Sequence, residues 1–193
     1  VFQHALMSQS SMLLHPLRSL NWVRTMNGVL DSPIASRRPL REIAAFPQVS
    51  VLVMGTNDLV KELRAALVPG RAPLLPHLAT ALLGAREAGK AIVDGVYNDV
   101  KDLDGFRAEC VQGKELGFDG KTLIHPGQVD VANDVWAPSE DEIAQAKKVV
   151  EAFAEAEADG RGVVVVDGRM VENLHRDIAE RVLATAEAIS ACG

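Results

Sequence analysis

An acidic side chain follows an apolar run near the middle of the first half of the chain. The run spans residues 49–53, stops at Gly55, and is followed at once by Thr56, Asn57 and Asp58. Such a run is typical of a strand buried on both faces of a parallel sheet. Ligands of α/β folds bind beyond the carboxyl ends of such strands. Asp58 is therefore expected either to bind Mg²⁺, which prefers one or two carboxylates with substrate oxygens, or to cap the following helix.

Four more polar residues follow a second short apolar run, Ala91 to Val93. They are Asp94, Asn98, Asp99 and Asp102. Turn formation and helix capping are the structural explanation for residues of these types. A functional role is the alternative, because they also follow the end of a buried strand.

Three isolated residues complete the set of candidates. His125 follows a third apolar run and is either a hydrogen-bonding residue or a ligand or acid–base group. Lys121 is expected in solvent unless it contacts a phosphate. Glu172 precedes a helical pattern, where the helix dipole favours an acid. The chain contains no P-loop, no GxGxxG, no HExxH and no paired CxxC motif.

The elements that must position these residues alternate between strands and helices. Predicted helices cover residues 40–45, 60–67, 74–87, 102–116, 139–158 and 173–191, and predicted strands cover 49–53, 91–94, 122–124 and 163–166, with a turn at 167–168. Ser139 is the expected N-cap of the helix at 139–158. This order is typical of a parallel α/β sheet or barrel. A closed barrel needs eight strands and typically about 250 residues, so these residues predict either an incomplete barrel or a smaller open sheet.

The composition describes a globular chain. It has 193 residues, of which 48% are hydrophobic and 24% charged, with a net charge of −6. An acidic chain is a poor partner for nucleic acid, and no apolar run reaches the roughly 20 residues of a membrane helix. Cys110 and Cys192 lie far apart and predict no disulfide framework, so a cytoplasmic location is expected.

Four segments, taken together, resemble one protein family. They read VLVMGTNDLVKEL (51–63), AIVDGVYNDVKDLDGF (91–106), GFDGKTLIHPGQVDVANDVWAPSEDEIAQA (117–146) and GRMVENLHRDIAERVLATAEAI (168–189). In this order they resemble the citrate lyase β-subunit-like CoA-ester lyases of the HpcH/HpaI aldolase superfamily, which also includes malyl-CoA and citramalyl-CoA lyases. The resemblance runs from about Leu40 to the C-terminus.

The resemblance implies an architecture with three parts. The fold class would be α/β, a TIM (β/α)₈ barrel that is incomplete at the N-terminus and carries a C-terminal helical lid. Residues 1–39 would be a divergent or truncated N-terminal segment, residues 40–136 the C-terminal part of the barrel, and residues 137–193 the C-terminal helix and lid.

The resemblance also implies a Mg²⁺ site and a substrate site. Asp58 occupies the position of the metal-binding aspartate in the family's G-x-x-D-L motif, and Gly55, Thr56 and Asn57 would offer backbone N–H groups to a substrate carboxylate. A second metal-binding carboxylate is a Glu in relatives. Asp31 is the acidic residue nearest to that place here, although its flanking residues do not match.

The implied activity is that of an enzyme, a Mg²⁺-dependent carbon–carbon lyase. It would cleave a 3-hydroxyacyl-CoA such as malyl-, citramalyl- or citryl-CoA into acetyl-CoA and a 2-oxo acid. Glu172 matches the lid acid that transfers a proton in an adjacent subunit, so a homo-oligomer, either a trimer or a hexamer, is expected. Two alternatives stay open: a malyl-CoA-type thioesterase, and a catalytically impaired fragment of such an enzyme.

Overall fold

A computed structural model of the protein describes residues 40–157 and 162–192. Within this part the chain forms two compact units, which meet in sequence between Trp136 and Ala137. The first unit therefore covers residues 40–136, and the second covers the described residues from 137 onward. Asp31 and the rest of the predicted N-terminal segment lie outside the described residues. The interpretation of the two units as a barrel portion and a lid stays a prediction.

The first unit alternates helices with short strands. Its helices are α1 (Leu40–Ala44), α2 (Thr56–Leu63), α3 (Leu75–Glu87), α4 (Leu103–Leu116) and α5 (Val129–Trp136). Its strands are β1 (Val51–Val53) and β2 (Ala91–Val93), and two 3-10 turns cover Pro69–Arg71 and Pro126–Gln128. The α/β class predicted from the sequence is therefore confirmed.

The two strands of the first unit pair in parallel. Val51 lies opposite Ala91 and Val53 opposite Val93. Beyond β2, Asp94 forms a single parallel bridge with Lys121. These three consecutive segments therefore run side by side in one direction, and the residues that follow them emerge at one edge. We call this edge the carboxyl edge. The described residues form this partial sheet and not a complete eight-stranded barrel.

Three elements of the first unit differ from the sequence prediction. The strand expected at residues 122–124 is reduced to the bridge at Lys121, because the Ile124 N–H bonds to the Gln128 side chain instead of a neighbouring strand. Helix α2 begins at Thr56, four residues earlier than predicted, and ends at Leu63 because Arg64 adopts a left-handed conformation (φ 53°). Helix α5 was not predicted at all.

Two apolar clusters hold the first unit together. Leu52 of β1, Ile92 of β2 and Leu78 of α3 are almost fully buried in the larger one. Phe106 and Cys110 of α4 belong to the smaller one, and α5 adds Val135 and Trp136. The apolar residues of both strands thus pack against α2 and α3, as expected for parallel strands with apolar sequences.

The second unit is an antiparallel hairpin that packs with one face against two long helices. Its elements are α6 (Glu140–Glu157), β3 (Val163–Val166), β4 (Arg169–Glu172) and α7 (Asn173–Cys192). The Ser139 prediction is confirmed, since its hydroxyl accepts the Glu142 N–H (3.1 Å) while the Glu142 carboxylate accepts the Ser139 N–H (2.8 Å). This reciprocal pair is a capping box.

Strand β4 was missed in the sequence because it is short and polar, although the turn before it was predicted correctly. Asp167 (φ 49°) and Gly168 (φ 76°) both have positive φ, as a two-residue hairpin turn requires. The resulting register places Val163 opposite Glu172 and Val165 opposite Met170.

The hairpin of the second unit has one buried and one exposed face. Val166 and Val171 are buried together with Phe153 of α6 and Ala179 of α7. The opposite side, which we call the outer face, consists of Val163, Val165, Met170 and Glu172. Val165 and Met170 are each 70% exposed. A single carboxylate therefore stands on an otherwise apolar exposed surface.

None of the helices in the described part of the chain is long and apolar enough to cross a membrane.

Candidate functional site

Asp58 lies at the carboxyl edge, inside the first turn of α2. The N-cap of this helix is Gly55, which offers no side chain, so the interpretation of Asp58 as the cap is wrong. The Asp58 side chain is exposed, whereas Thr56 is only 3% exposed. Thr56 thus holds the helix start against the protein while Asp58 remains free to meet a ligand. The positive end of the helix dipole favours a carboxylate at this place.

An amide pair joins the first two segments of the carboxyl edge. The Asn57 side-chain N–H donates to the Asn98 oxygen (3.0 Å), and the Asn98 side-chain N–H donates to the Asn57 oxygen (2.8 Å). Both side chains are exposed. Asn98, which was predicted only as one of several polar residues after β2, is therefore the direct neighbour of the segment that carries Asp58.

A buried glutamine joins the second and third segments of the edge. Gln128 is fully buried, donates to the Tyr97 carbonyl (3.1 Å) and accepts the Ile124 N–H (3.1 Å). Nothing in the sequence marked Gln128 as special, because the Tyr97 carbonyl that it bonds lies 31 residues away in the chain. The three strand-end segments are consequently linked in order along one edge.

His125 has a structural role at the start of the second 3-10 turn. Its Nδ1 atom accepts the Gly127 N–H at 3.0 Å, and its side chain is exposed. An imidazole that accepts at Nδ1 carries its proton on Nε2 in the neutral form. The hydrogen-bonding interpretation of His125 is confirmed, and a role as ligand or acid–base group stays a prediction.

Asp99 and Asp102 also have the structural roles proposed from the sequence. Asp99 accepts the Lys101 N–H (3.1 Å) in a turn, and Asp102 caps α4 by accepting the Gly105 N–H (2.9 Å). Asp102 further accepts the Tyr97 hydroxyl at 2.7 Å. This hydrogen bond, with burial and the nearby carboxylates, raises the pKa of Tyr97 to about 12, and it lowers the pKa of Asp102.

Asp94 and Lys121 belong to a buried ionic cluster. We call Arg71, Asp94, Glu109 and Lys121 the buried cluster. Arg71 Nη1 lies 2.8 and 2.7 Å from the two Asp94 oxygens, and Lys121 Nζ lies 3.1 Å from Asp94 and 2.7 Å from Glu109. The expectations that Asp94 is a turn residue and that Lys121 is solvated are both wrong. The cluster contains two cations and two anions, so its formal charges balance.

Removing one charge from the buried cluster should destabilise the fold strongly. Lys121→Met keeps most of the side-chain volume but leaves Asp94 and Glu109 sharing one cation, which should lower the free energy of unfolding by about 3–5 kcal/mol. Urea denaturation measures this loss. The control is Lys148→Met, because the Lys148–Asp167 pair (3.0 Å) has side chains 55% and 54% exposed and should contribute no more than about 1 kcal/mol. Equal losses in the two variants would contradict this description of the cluster.

Cys110 lies beside the buried cluster and should be chemically inert. It is fully buried, and burial raises the pKa of its thiol to about 12. In a Cys192→Ser background, iodoacetamide at about pH 8 should therefore label the protein only after unfolding, because the thiolate is the reactive species. Mass spectrometry measures the labelling. Rapid alkylation of the folded protein would show that Cys110 is accessible and ionised.

Glu172 lies in the second unit, at the junction of β4 and α7. It is the last residue of the strand, its side chain is exposed on the outer face, and its backbone N–H donates to His175 Nδ1 at 3.0 Å. The sequence predicted Glu172 directly before a helix that begins at residue 173, and α7 begins at Asn173. Val163 is its cross-strand neighbour.

The described residues offer a partial ligand set for a divalent cation. No group of three or more His, Cys, Asp or Glu side chains within residues 40–157 and 162–192 is arranged to hold a metal ion. Asp58 supplies one exposed carboxylate beyond a parallel strand. Because Mg²⁺ commonly takes only one or two protein carboxylates and completes its shell with water and substrate oxygens, the donor chemistry of Asp58 fits this ion.

A family model described as HpcH/HpaI aldolase/citrate lyase matches residues 35–126 of the chain. A (3S)-malyl-CoA thioesterase of Cereibacter sphaeroides is 56% identical over 152 residues, which make up 79% of this chain and 53% of that protein. The citrate lyase subunit beta of Escherichia coli K12 is 37% identical over 158 residues, which make up 82% of this chain and 52% of that protein. The chain thus spans about half the length of the curated relatives it matches.

A solved structure shows the same kind of fold. It is the crystal structure of the protein CitE from Mycobacterium tuberculosis in complex with magnesium, acetoacetate and coenzyme A. The TM-score is 0.63 at 29% identity, and the match covers 77% of this chain and 56% of that chain. The structural match thus agrees with the sequence matches.

Proposed function

The chain belongs to the HpcH/HpaI aldolase/citrate lyase family, and on that basis we propose that it acts with Mg²⁺ on a 3-hydroxyacyl-CoA thioester of the malyl-CoA type. The observation that carries this proposal is the exposed carboxylate of Asp58 at the carboxyl edge, in the first turn of α2. A relative of known structure was crystallised with magnesium and coenzyme A, which supports both the ion and the substrate class.

Asp58 would hold the ion together with Asp31, and water and substrate oxygens would complete the shell. Bound Mg²⁺ supplies a Lewis acid that polarises substrate oxygens. Gly55, Thr56 and Asn57 would bind the substrate carboxylate through their backbone N–H groups. Their position supports this role, because the first N–H groups of a helix lack partners within the helix and attract anions.

Glu172 would serve as the acid–base group that transfers a proton to or from the substrate. Its exposed position on the apolar outer face supports this role, because exposed apolar patches commonly mark interaction sites and a carboxylate there would then lie next to a partner surface. In a homo-oligomer, such as a trimer or hexamer, the covering surface would be another copy of the chain. We further propose that the first unit is part of a (β/α)₈ barrel and that the second unit is its lid.

Two reactions can act on such a substrate. Hydrolysis adds water across the thioester bond and releases the free hydroxy acid and CoA thiol. Carbon–carbon cleavage releases acetyl-CoA and a 2-oxo acid, with one proton leaving the substrate hydroxyl and one returning to the acetyl carbon. The 56% identity to a protein named (3S)-malyl-CoA thioesterase exceeds the 37% identity to a citrate lyase subunit beta. We therefore place hydrolysis first and carbon–carbon cleavage second.

Product analysis tests the proposal. The 193-residue chain is incubated with malyl-CoA with and without Mg²⁺, and free thiol and 2-oxo acid are measured separately. Mg²⁺-dependent release of thiol without 2-oxo acid is the expected result. Release of 2-oxo acid without thiol would establish carbon–carbon cleavage. Neither product, together with no binding of Mg²⁺, would overturn the proposal and leave a catalytically impaired fragment.

A further inference from the structure

The buried cluster holds a carboxylate that the proposed reaction does not use. Asp94 is fully buried at the end of β2, and its two oxygens accept from Arg71, Lys121 and the Gly95 N–H. Burying several charges costs free energy, and a well-packed apolar cluster in the same space is often as stable or more stable. The physical advantage of the charged arrangement is geometric specificity, since each charge-assisted hydrogen bond fixes the position of a specific atom.

Asp94 fixes the backbone at the end of β2. Its side chain accepts the Gly95 N–H at 2.7 Å. Its own backbone N–H donates to the Gly120 carbonyl, and its carbonyl accepts the Thr122 N–H, both at 2.9 Å. A shift of Gly95 would therefore break its bond to the Asp94 side chain or disturb the backbone bonds of Asp94 to Gly120 and Thr122.

Gly95 in turn packs against the start of α2. A Cβ atom at Gly95 would lie 2.3 Å from Thr56 Oγ1 and 2.9 Å from the Met54 carbonyl oxygen. The backbone of Gly95 is thus packed directly against Thr56, the buried first residue of α2. Asp58 comes only two residues later in the same helical turn.

Arg71 fixes the chain beyond the other end of α2. It belongs to the 3-10 turn after this helix and bonds to Asp94 through Nη1. Its Nε atom donates to the Gln112 oxygen (2.9 Å), while the Gln112 side-chain N–H donates to the Gly70 carbonyl (2.8 Å). Contacts from residues before and after α2 in the chain consequently converge on Asp94.

We infer that Asp94, Arg71 and Lys121 are positioning residues that hold the first turn of α2, and with it Asp58, in a binding geometry for the metal ion. This inference rests on the proposed function of Asp58. The three residues act through Gly95 and Thr56 and do not touch the ion themselves.

Two variants test the inference, and neither depends on enzymatic activity. Asp94→Asn keeps the shape of the side chain but removes its charge, and Arg71→Lys keeps the charge but removes the contact with Gln112. The N–H groups of residues 59–63 bond back to carbonyls of Gly55 and the first turn of α2, beginning with Leu59 to the Gly55 carbonyl at 3.0 Å. Their amide hydrogen exchange should therefore accelerate about tenfold or more in both variants. Mg²⁺ affinity, measured by calorimetry, should fall about tenfold, as when supporting residues of metal sites are replaced.

A core variant separates positioning from a general loss of stability. Val135→Ala truncates the smaller apolar cluster at α5 and should leave exchange at residues 59–63 and Mg²⁺ affinity unchanged in the folded protein. If these residues exchanged no faster in Asp94→Asn and Arg71→Lys, or equally fast in Val135→Ala, the inference would be overturned. Failure of the unmodified chain to bind Mg²⁺ would overturn the proposed function, while the exchange comparison would still decide whether the cluster holds α2.

Discussion

Asp58→Asn should reduce Mg²⁺-dependent turnover of malyl-CoA to below about 1% of the wild-type rate. The substitution keeps the size of the side chain and one oxygen but removes the negative charge that binds the cation. Because Asp58 is exposed and does not cap α2, the free energy of unfolding should stay nearly unchanged. Steady-state kinetics at several Mg²⁺ concentrations, together with urea denaturation, measure both effects.

Asp130→Asn is the matched control for this experiment. Asp130 is also an exposed acid in the first turn of a helix of the same unit, α5, but a 3-10 turn separates this helix from the strand bridge at Lys121. Its substitution should remove an equal charge from an equivalent position without changing turnover. Full activity of Asp58→Asn, or an equal loss in Asp130→Asn, would remove Asp58 from the metal site.

Glu172→Gln should lower kcat by about 10²–10⁴-fold while changing KM and Mg²⁺ affinity little. A positioned acid–base group typically contributes this much to the rate, and the amide can neither accept nor release the proton. The backbone hydrogen bond to His175 does not involve the Glu172 side chain, so the hairpin should keep its conformation.

Glu187→Gln is the control for Glu172→Gln. Glu187 is an exposed glutamate of α7, so its substitution makes the same chemical change in the same unit away from the outer face of the hairpin. It should leave kcat within about twofold of wild type. A Glu172→Gln enzyme with an undiminished kcat would show that Glu172 takes no part in proton transfer.

The features that the sequence predicted correctly depend on short-range physics. The run at residues 49–53 contains strand β1, because β-branched apolar residues favour a buried strand. Asp102 and Ser139 were recognised as helix caps because their hydrogen-bond partners lie three residues away. The turn at Asp167 and Gly168 was likewise predicted from a local pair of residues.

The features that sequence reasoning missed depend on partners distant in the chain. Lys121 was assigned to solvent because lysine usually is exposed, but Asp94 and Glu109 neutralise it inside the protein. No local pattern distinguishes such a lysine from a surface one. Gln128 and the Asn57–Asn98 pair are similar cases, since their hydrogen bonds span 31 and 41 residues. The sequence therefore shows the polar segments of the carboxyl edge separately, but it does not show the side-chain hydrogen bonds that join them.

The proposed function depends most on one ion at one side chain. A crystal of the chain grown with Mn²⁺ in place of Mg²⁺ would test this directly, because the anomalous signal locates the metal independently of any model of the protein. The expected result is an anomalous peak within about 2.5 Å of a carboxylate oxygen of Asp58. A well-ordered Asp58 with no peak beside it, or a peak bound only by other residues, would contradict the account.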